Sequence, residues 1–327
     1  MTENEAGRSE FLFCYDARMT NPNGDPDENR PRIDLVTRRN LVTEFRLKRT
    51  IRDYLKNAMK EPIFMRAEEG NEGVLKTIED LAESCITENK KGKETVKQID
   101  REKLICDHID VRLFGLLFSV PGMNFKQVGP VQFAIGRSLN KVHELTIRMT
   151  RVVPTREEAK AGTFGEKSVL RYSFIVFHGF LNDLVAKQVH LSEADVQKMV
   201  KAMWIGTDEL STTSKFGQRS RLLLRVNYSK PFAYIGDLDR YLSLERANAN
   251  ADLDKLEDIS ECRLKVENLF KVLEENKDGI SSIEYASSDE LRCTSGEKSA
   301  SFEKLFKDWS TESGVKTINL FGEWHKG

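Results

Sequence analysis

The chain has 327 residues, 39% of them hydrophobic and 31% charged, with 20 Gly and 8 Pro. That is enough apolar material for one large domain or two smaller ones, and it excludes a disordered, collagen-like or low-complexity polymer. The net charge of −1 conceals a strong asymmetry. Residues 29–60 hold ten Lys/Arg against three Asp/Glu, and residues 215–230 hold five basic residues and no acid. Residues 237–308 reverse the balance, with eighteen acidic and eleven basic residues. Patches of one sign, more than the total, decide which polyanion can dock. No apolar run approaches the roughly 18 residues of a membrane span. The opening MTENEAGRSE lacks the features of a signal peptide, so a cytoplasmic protein is expected. Five cysteines, never spaced C-x-x-C, fit reduced thiols better than a disulfide framework or a zinc site.

In chain order, residues 10–18 (EFLFCYDAR) read as a strand, followed by the breaker-rich loop NPNGDPDENRPR at 21–32. Thr43 offers an N-cap to a helix whose apolar face carries Leu47, Ile51, Tyr54, Leu55 and Ala58. Lys48, Arg49, Arg52 and Lys56 share an adjoining face. Residues 61–105 are charged and helix-prone, broken by Gly70, Gly73 and Gly92, and are expected to form a small helical insertion. Short strands are expected at 131–135, 145–149 and 169–177, with the polar loop 153–168 between the last two at a hairpin tip. Ser192 and Asp195 form a capping-box pattern before the stripe Val196, Met199, Val200, Met203 and Trp204. A last strand follows at 222–228, with Leu222, Leu224, Val226 and Tyr228 on one side and Arg225 and Asn227 on the other. Beyond residue 236 the chain is acidic and reads as mostly helical.

With insertions set aside the order is β-α-β-β-α-β, the α+β ferredoxin-like arrangement that also underlies the RNA-recognition module. Two helices would cover one face of a four-stranded sheet and leave the other face free. The domain expectation is a first half-unit at 1–60, the helical insertion at 61–105, a second half-unit at 106–235, and an acidic, mostly helical region at 236–327.

The search for chemistry is largely negative. There is no G-x-G, no P-loop motif and no G-x-S-x-G elbow, and His143-Glu144 lacks the second His of a zincin motif because Ile147 stands there. Asp25, Asp27 and Asp34 could meet a hard cation, yet Gly24 and Arg32 are out of register for a calcium loop. A rigid turn explains the segment better. The positive signal is basic: four cations on one helix face with Asp53 as the main acidic neighbour, and a second acid-free basic stretch after the second helix. A solvated face is the ordinary reading of such a helix. Two unneutralised patches at loop–element junctions favour a phosphate backbone as partner, bound without base readout because no aromatic stacking motif is present.

The segment FLFCYDARMTNPNGDPDENRPRIDLVTRRNLVTEFRLKRTIRDYL resembles the N-terminal signature of a known family. It is that of the major backbone subunit (Cas family seven, RAMP superfamily) of type I CRISPR Cascade surveillance complexes, closest to type I-B. DVRLFG at 110–115, GPVQFAIGRSLNKV at 129–142 and TSKFGQRSRLLLRVNY at 213–228 agree in order. The resemblance implies an RNA-recognition-type palm, helical fingers and a thumb hairpin near 152–168. Copies of such a subunit polymerise head to tail along CRISPR guide RNA, with other Cascade subunits, while the guide pairs with target DNA. It implies guide contacts at Lys48, Arg49 and Arg52, at Gln132, Arg137 and Ser138, and at Lys215, Gln218 and Arg219. Thr163 and Phe164 would lie near the thumb tip. It implies no catalytic residue, cofactor, metal or membrane partner. The alternative is a metal-dependent endoribonuclease of the type III kind, using Asp25, Asp27 or Asp34.

Overall fold

A computed structural model describes residues 5–68, 76–91, 94–120, 123–150 and 164–324. Its centre is an antiparallel pair made by β1 (Ser9–Thr20) and the long β6 (Phe164–Leu181), in register from Ser9 opposite Leu181 to Thr20 opposite Leu170. Their aromatic and β-branched residues suit a pleated surface. On the other side β1 pairs with β7 (Gln218–Tyr228), and β6 pairs with β4 (Gly136–Lys141), giving the local order β7-β1-β6-β4. Among the described residues nine strands make up the main sheet of this mixed α+β architecture. β2 (Arg39–Val42) lies outside β4; β3 (Val131–Phe133) and β5 (Glu144–Thr150) pair with opposite ends of β6; β8 (Ile280–Ser287) and β9 (Thr317–Asn319) extend the β7 edge.

Two helices cover one face. α1 (Glu44–Asn57) starts where the Thr43 hydroxyl accepts from Arg46 N, and buries Leu47, Ile51 and Leu55. α2 (Glu193–Asp208) starts with both capping-box bonds, Asp195 N to Ser192 Oγ at 3.1 Å and Ser192 N to Asp195 Oδ2 at 3.3 Å. Its stripe Val196, Met199, Val200, Met203 and Trp204 packs against Phe11, Phe13 and Tyr15 of β1 in one core.

The other face is not free. Leu12 and Cys14, Tyr172, Phe174 and Val176, and Leu222, Leu224 and Val226 form a second core with residues of the C-terminal region. That region is not mostly helical. It holds a four-stranded sheet (Ser243–Arg246, Cys262–Lys265, Arg292–Ser295, Lys298–Ser301), the two strands β8 and β9, and helices α3 (Glu267–Glu275) and α4 (Phe302–Ser313). An aromatic stack of Phe270, Phe302, Phe306 and Trp309 joins its layers. Charged neighbours on the solvent side masked the short apolar alternations that make these strands.

The insertion also departs from the helical expectation. Ile78–Ala82 and Arg101–Asp107 are helices, but Ile86–Lys91 and Glu94–Ile99 pair as antiparallel strands. Ile86, Thr87, Thr95, Val96 and Ile99 supply the β-branched residues that favour strands over helix. Further on, the helix Ile109–Phe114 turns at Gly115 (φ 75°) into a hairpin of Gly115–Val120 with Met123–Val128. β5 and the start of β6 pair from Glu144 opposite Leu170 to Thr150 opposite Phe164. The strand therefore includes 164–168, where the polar composition predicts loop, while Thr163 and most of the expected thumb lie outside the described residues.

Candidate nucleic-acid interface

The loop after β1 is built to fix the start of α1. Asn23 Oδ1 accepts from both Thr43 N (2.8 Å) and the Thr43 hydroxyl (3.0 Å), so the loop caps the residue that caps the helix. Asn21 Nδ2 donates to Asn29 O at 2.7 Å. Asp25 accepts from Asp27 N and Glu28 N, and Asp34 accepts from Val36 N and the Thr37 hydroxyl. These bonds hold both carboxyls below the usual carboxylate range, the Glu28 amide leading at Asp25 and the Thr37 hydroxyl at Asp34. The rigid-turn reading of this segment matches those bonds. Gly24 permits it, since a Cβ there would sit 2.0 Å from Asn29 Oδ1.

The loop before β7 docks onto this framework. Asn21 N and the Thr20 hydroxyl both donate to Ser214 O (3.1 and 2.7 Å), and Lys215 Nζ donates to Asn21 O at 2.6 Å. Gly217 (φ 105°) makes the final bend, where a Cβ would meet Arg18 O at 2.6 Å. Lys215 is thereby placed beside Arg46 and Arg49 of α1. Burial, then the fields of Arg46 and Arg49, push its ammonium down to about 8.

A second basic group lies along α1. Lys48 Nζ donates to Gln132 Oε1 at 2.9 Å and sits 5.4 Å from the centre of the Phe114 ring, and Arg52 sits over the same ring at 5.2 Å. Arg52 Nε donates to Asp110 Oδ2 at 2.9 Å; Asp110 is fully buried and also accepts from Phe64 N and Met65 N. Burial, then Arg52, lower the Lys48 pKa. Lys48, Arg52 and Gln132 therefore come together from segments more than eighty residues apart. Arg49 is largely exposed, with a loose 3.6 Å pair to Asp53.

The other expected contacts divide. Arg137 is exposed on β4, near enough to Asp34 to lower its pKa. Ser138 is a correction: it is fully buried, its hydroxyl accepting from Asn40 N and donating to Asn140 O, so it joins strands and offers no side chain outside. Gln218 is also buried, donating to Lys215 O. Arg219 lies apart from α1, in an 830 Å³ cleft shared with Arg18, Phe216, Arg221 and Arg292. Phe164 is the first residue of β6, opposite Thr150.

The basic stretch at 215–230 is less free than its composition implied. Arg221 pairs with Asp16 at 2.9 Å and with Glu290; Arg225, 1% exposed at its side chain, is held between Glu193 and Glu284. In the other basic stretch Arg30 is held by both carboxylate oxygens of Glu144 at 2.8 Å. Arg46 is the residue that sequence reasoning missed, although its place three before Arg49 puts both on one helix face.

What this framework belongs to is decided by comparison. The family model described as CRISPR-associated protein Cas7 matches residues 7–267. The chain belongs to the Cas7 family. A Cas7-family protein of Haloferax volcanii, described as CRISPR-associated protein Cas7, is 28% identical over 340 residues, covering 97% of each chain. The fold is shared with a solved chain of a "CRISPR RNA-guided surveillance complex, pre-nicking", with TM-score 0.53 at 12% identity, covering 94% of this Cas7-family chain and 100% of the other. Among the described residues no helix is long and apolar enough to cross a membrane.

Proposed function

We propose that this Cas7-family chain is a non-catalytic backbone subunit that polymerises head to tail along CRISPR guide RNA in the cytoplasm, alongside other Cascade subunits. It would present the guide for pairing with target DNA. The palm reading rests on the β7-β1-β6-β4 order with α1 and α2 on one face, the pattern of a ferredoxin-like unit. The type I-B branch rests on the N-terminal motif alone. With the second sheet face covered by the C-terminal region, guide RNA is assigned to the α1 edge and the two loops at its start.

The observation that carries the reading is the gathering of cations along α1: Lys48 and Arg52 at the Phe114 ring with Gln132 from a distant segment, and Arg46 and Arg49 beside Lys215 of the loop before β7. Five cations against Asp53 and Asp110 leave a net positive edge that suits phosphates, with Arg able to fork onto one and Lys acting as a point charge. Asp34 engages both carboxylate oxygens and Asp25 its Oδ1 in their own turns, which favours the scaffold over a loop-Asp nuclease.

The test is salt-dependent binding to a short single-stranded RNA that holds one or two subunits. Lys48→Ala should weaken binding about equally for unrelated RNAs and flatten log K against log salt by roughly 0.7, the single-strand value per contact. An unchanged slope, or loss confined to one RNA sequence, refutes the assignment. Magnesium-dependent cutting of complementary RNA that Asp25→Ala abolishes would instead establish the nuclease.

A further inference from the structure

Glu10, near the start of β1, is fully buried and surrounded by donors. It accepts from Ile235 N (2.8 Å), Gly236 N (2.9 Å), the Tyr228 hydroxyl and His178 Nε2 (2.9 Å). A carboxylate so surrounded acts as acceptor only, so the imidazole hydrogen at Nε2 points to Glu10. The other ring nitrogen, Nδ1, has no hydrogen-bond partner among the described residues and is not sealed from solvent, although His178 as a whole is only 7% exposed.

The same imidazole stands beside two carboxylates. A ring nitrogen of His178 and carboxylate oxygens of Asp237 and Asp239 all lie within 4.8 Å of one another. Three ligand atoms inside that limit can close onto one ion, with bonds of about 2.0–2.2 Å, by side-chain rotation. A histidine held through its far nitrogen by a buried carboxylate is the arrangement that orients metal-ligating imidazoles and raises their basicity. The site borders a 490 Å³ cleft lined by Tyr234 and Asp237, which gives an ion access and room for a water ligand. Arg240 Nη1 approaches Asp237 Oδ2 at 3.3 Å, but both side chains are mostly exposed and the pair is weak.

We propose that His178, Asp237 and Asp239 form a site for one divalent transition-metal ion of the zinc class. The ion would staple the first turn of the C-terminal region to the main sheet, since His178 belongs to β6 and both aspartates lie just beyond β7. One imidazole and two carboxylates suit zinc or cobalt better than the all-oxygen shells of calcium or magnesium.

The experiment is a titration of chelator-stripped, full-length protein with Co²⁺ and then Zn²⁺. Visible d–d bands should saturate at one Co²⁺ per chain and be displaced by Zn²⁺, and Zn²⁺ should raise the melting temperature. The surface pair Asp237→Asn with Asp239→Asn should keep the far-UV spectrum, lose the bands and bind Zn²⁺ roughly tenfold more weakly or worse. His178→Gln should behave likewise. Cys106, an exposed thiol elsewhere, should be replaceable by Ser without changing the bands. Absence of saturable uptake, or equal uptake by the Asp237→Asn, Asp239→Asn chain, overturns the proposal and leaves an imidazole facing two carboxylates with no ion.

Discussion

Lys215 makes the proposed guide contact sensitive to pH in a calculable way. Its ammonium is pushed down to about 8 by burial and by Arg46 and Arg49. A phosphate placed among these three cations cancels the repulsion, so the bound lysine keeps its proton well above pH 8. Binding is then coupled to proton uptake. At pH 7 about nine-tenths of free Lys215 is protonated and at pH 9 about one-tenth, so affinity should fall about tenfold between them, or about 1.4 kcal/mol per contact. Below about pH 7 the affinity should be level. The assay is fluorescence anisotropy with one short RNA in buffers of equal ionic strength, for wild type and Lys215→Arg. Arginine holds its charge across this range, so the variant should lose most of the slope. Superimposable pH profiles for the two chains would refute the reasoning. Folding responds with the opposite sign. Unfolded Lys215 keeps its proton to about 10.4, so the unfolded chain binds more protons between about 8 and 10.4, and stability should rise with pH across that window.

Three further outcomes are expected. Arg225→Met strands Glu193 and the buried Glu284 and should cost about 3–5 kcal/mol in chemical denaturation; adding Glu284→Leu should recover part of that, and no recovery would show that the charge pair is not the cause. Asp110→Asn removes the charge that holds Arg52 and two backbone amides, and should cost about 1.5–3 kcal/mol by the same measurement while weakening RNA binding. Gly217→Ala forces a left-handed residue and a 2.6 Å approach to Arg18 O, so it should displace Lys215 and lower RNA affinity, whereas Gly296→Ala, at positive φ but in open space, should leave RNA affinity unchanged.

Much was legible in the chain alone because it was local. The aromatic and aliphatic run in 10–18 and the alternation in 222–228 marked β1 and β7, Thr43 and the Ser192/Asp195 pair marked the starts of α1 and α2, and the Pro/Asn/Asp run at 21–32 marked a turn whose carboxylates bond their own backbone. The cation face of α1 was visible for the same reason, since helical spacing is a property of neighbours. The C-terminal third was misread where each strand is only three to eight residues long and flanked by charge, too short for periodicity to outweigh composition.

Which charges remain free was decided only by tertiary structure. Arg221 meets Asp16, 205 residues away; Arg52 meets Asp110 across 58; and Lys48 meets Gln132 across 84. The strand reading of 222–228 put Arg225 on the side opposite Leu222, Leu224 and Val226; both faces of the sheet are buried, and Arg225 is an internal tie between α2 and β8. Sequence spacing determines which face of an element a side chain occupies. What stands opposite that face depends on how distant elements pack, and there desolvation and pairing turn a basic residue into a ligand contact or a structural bond.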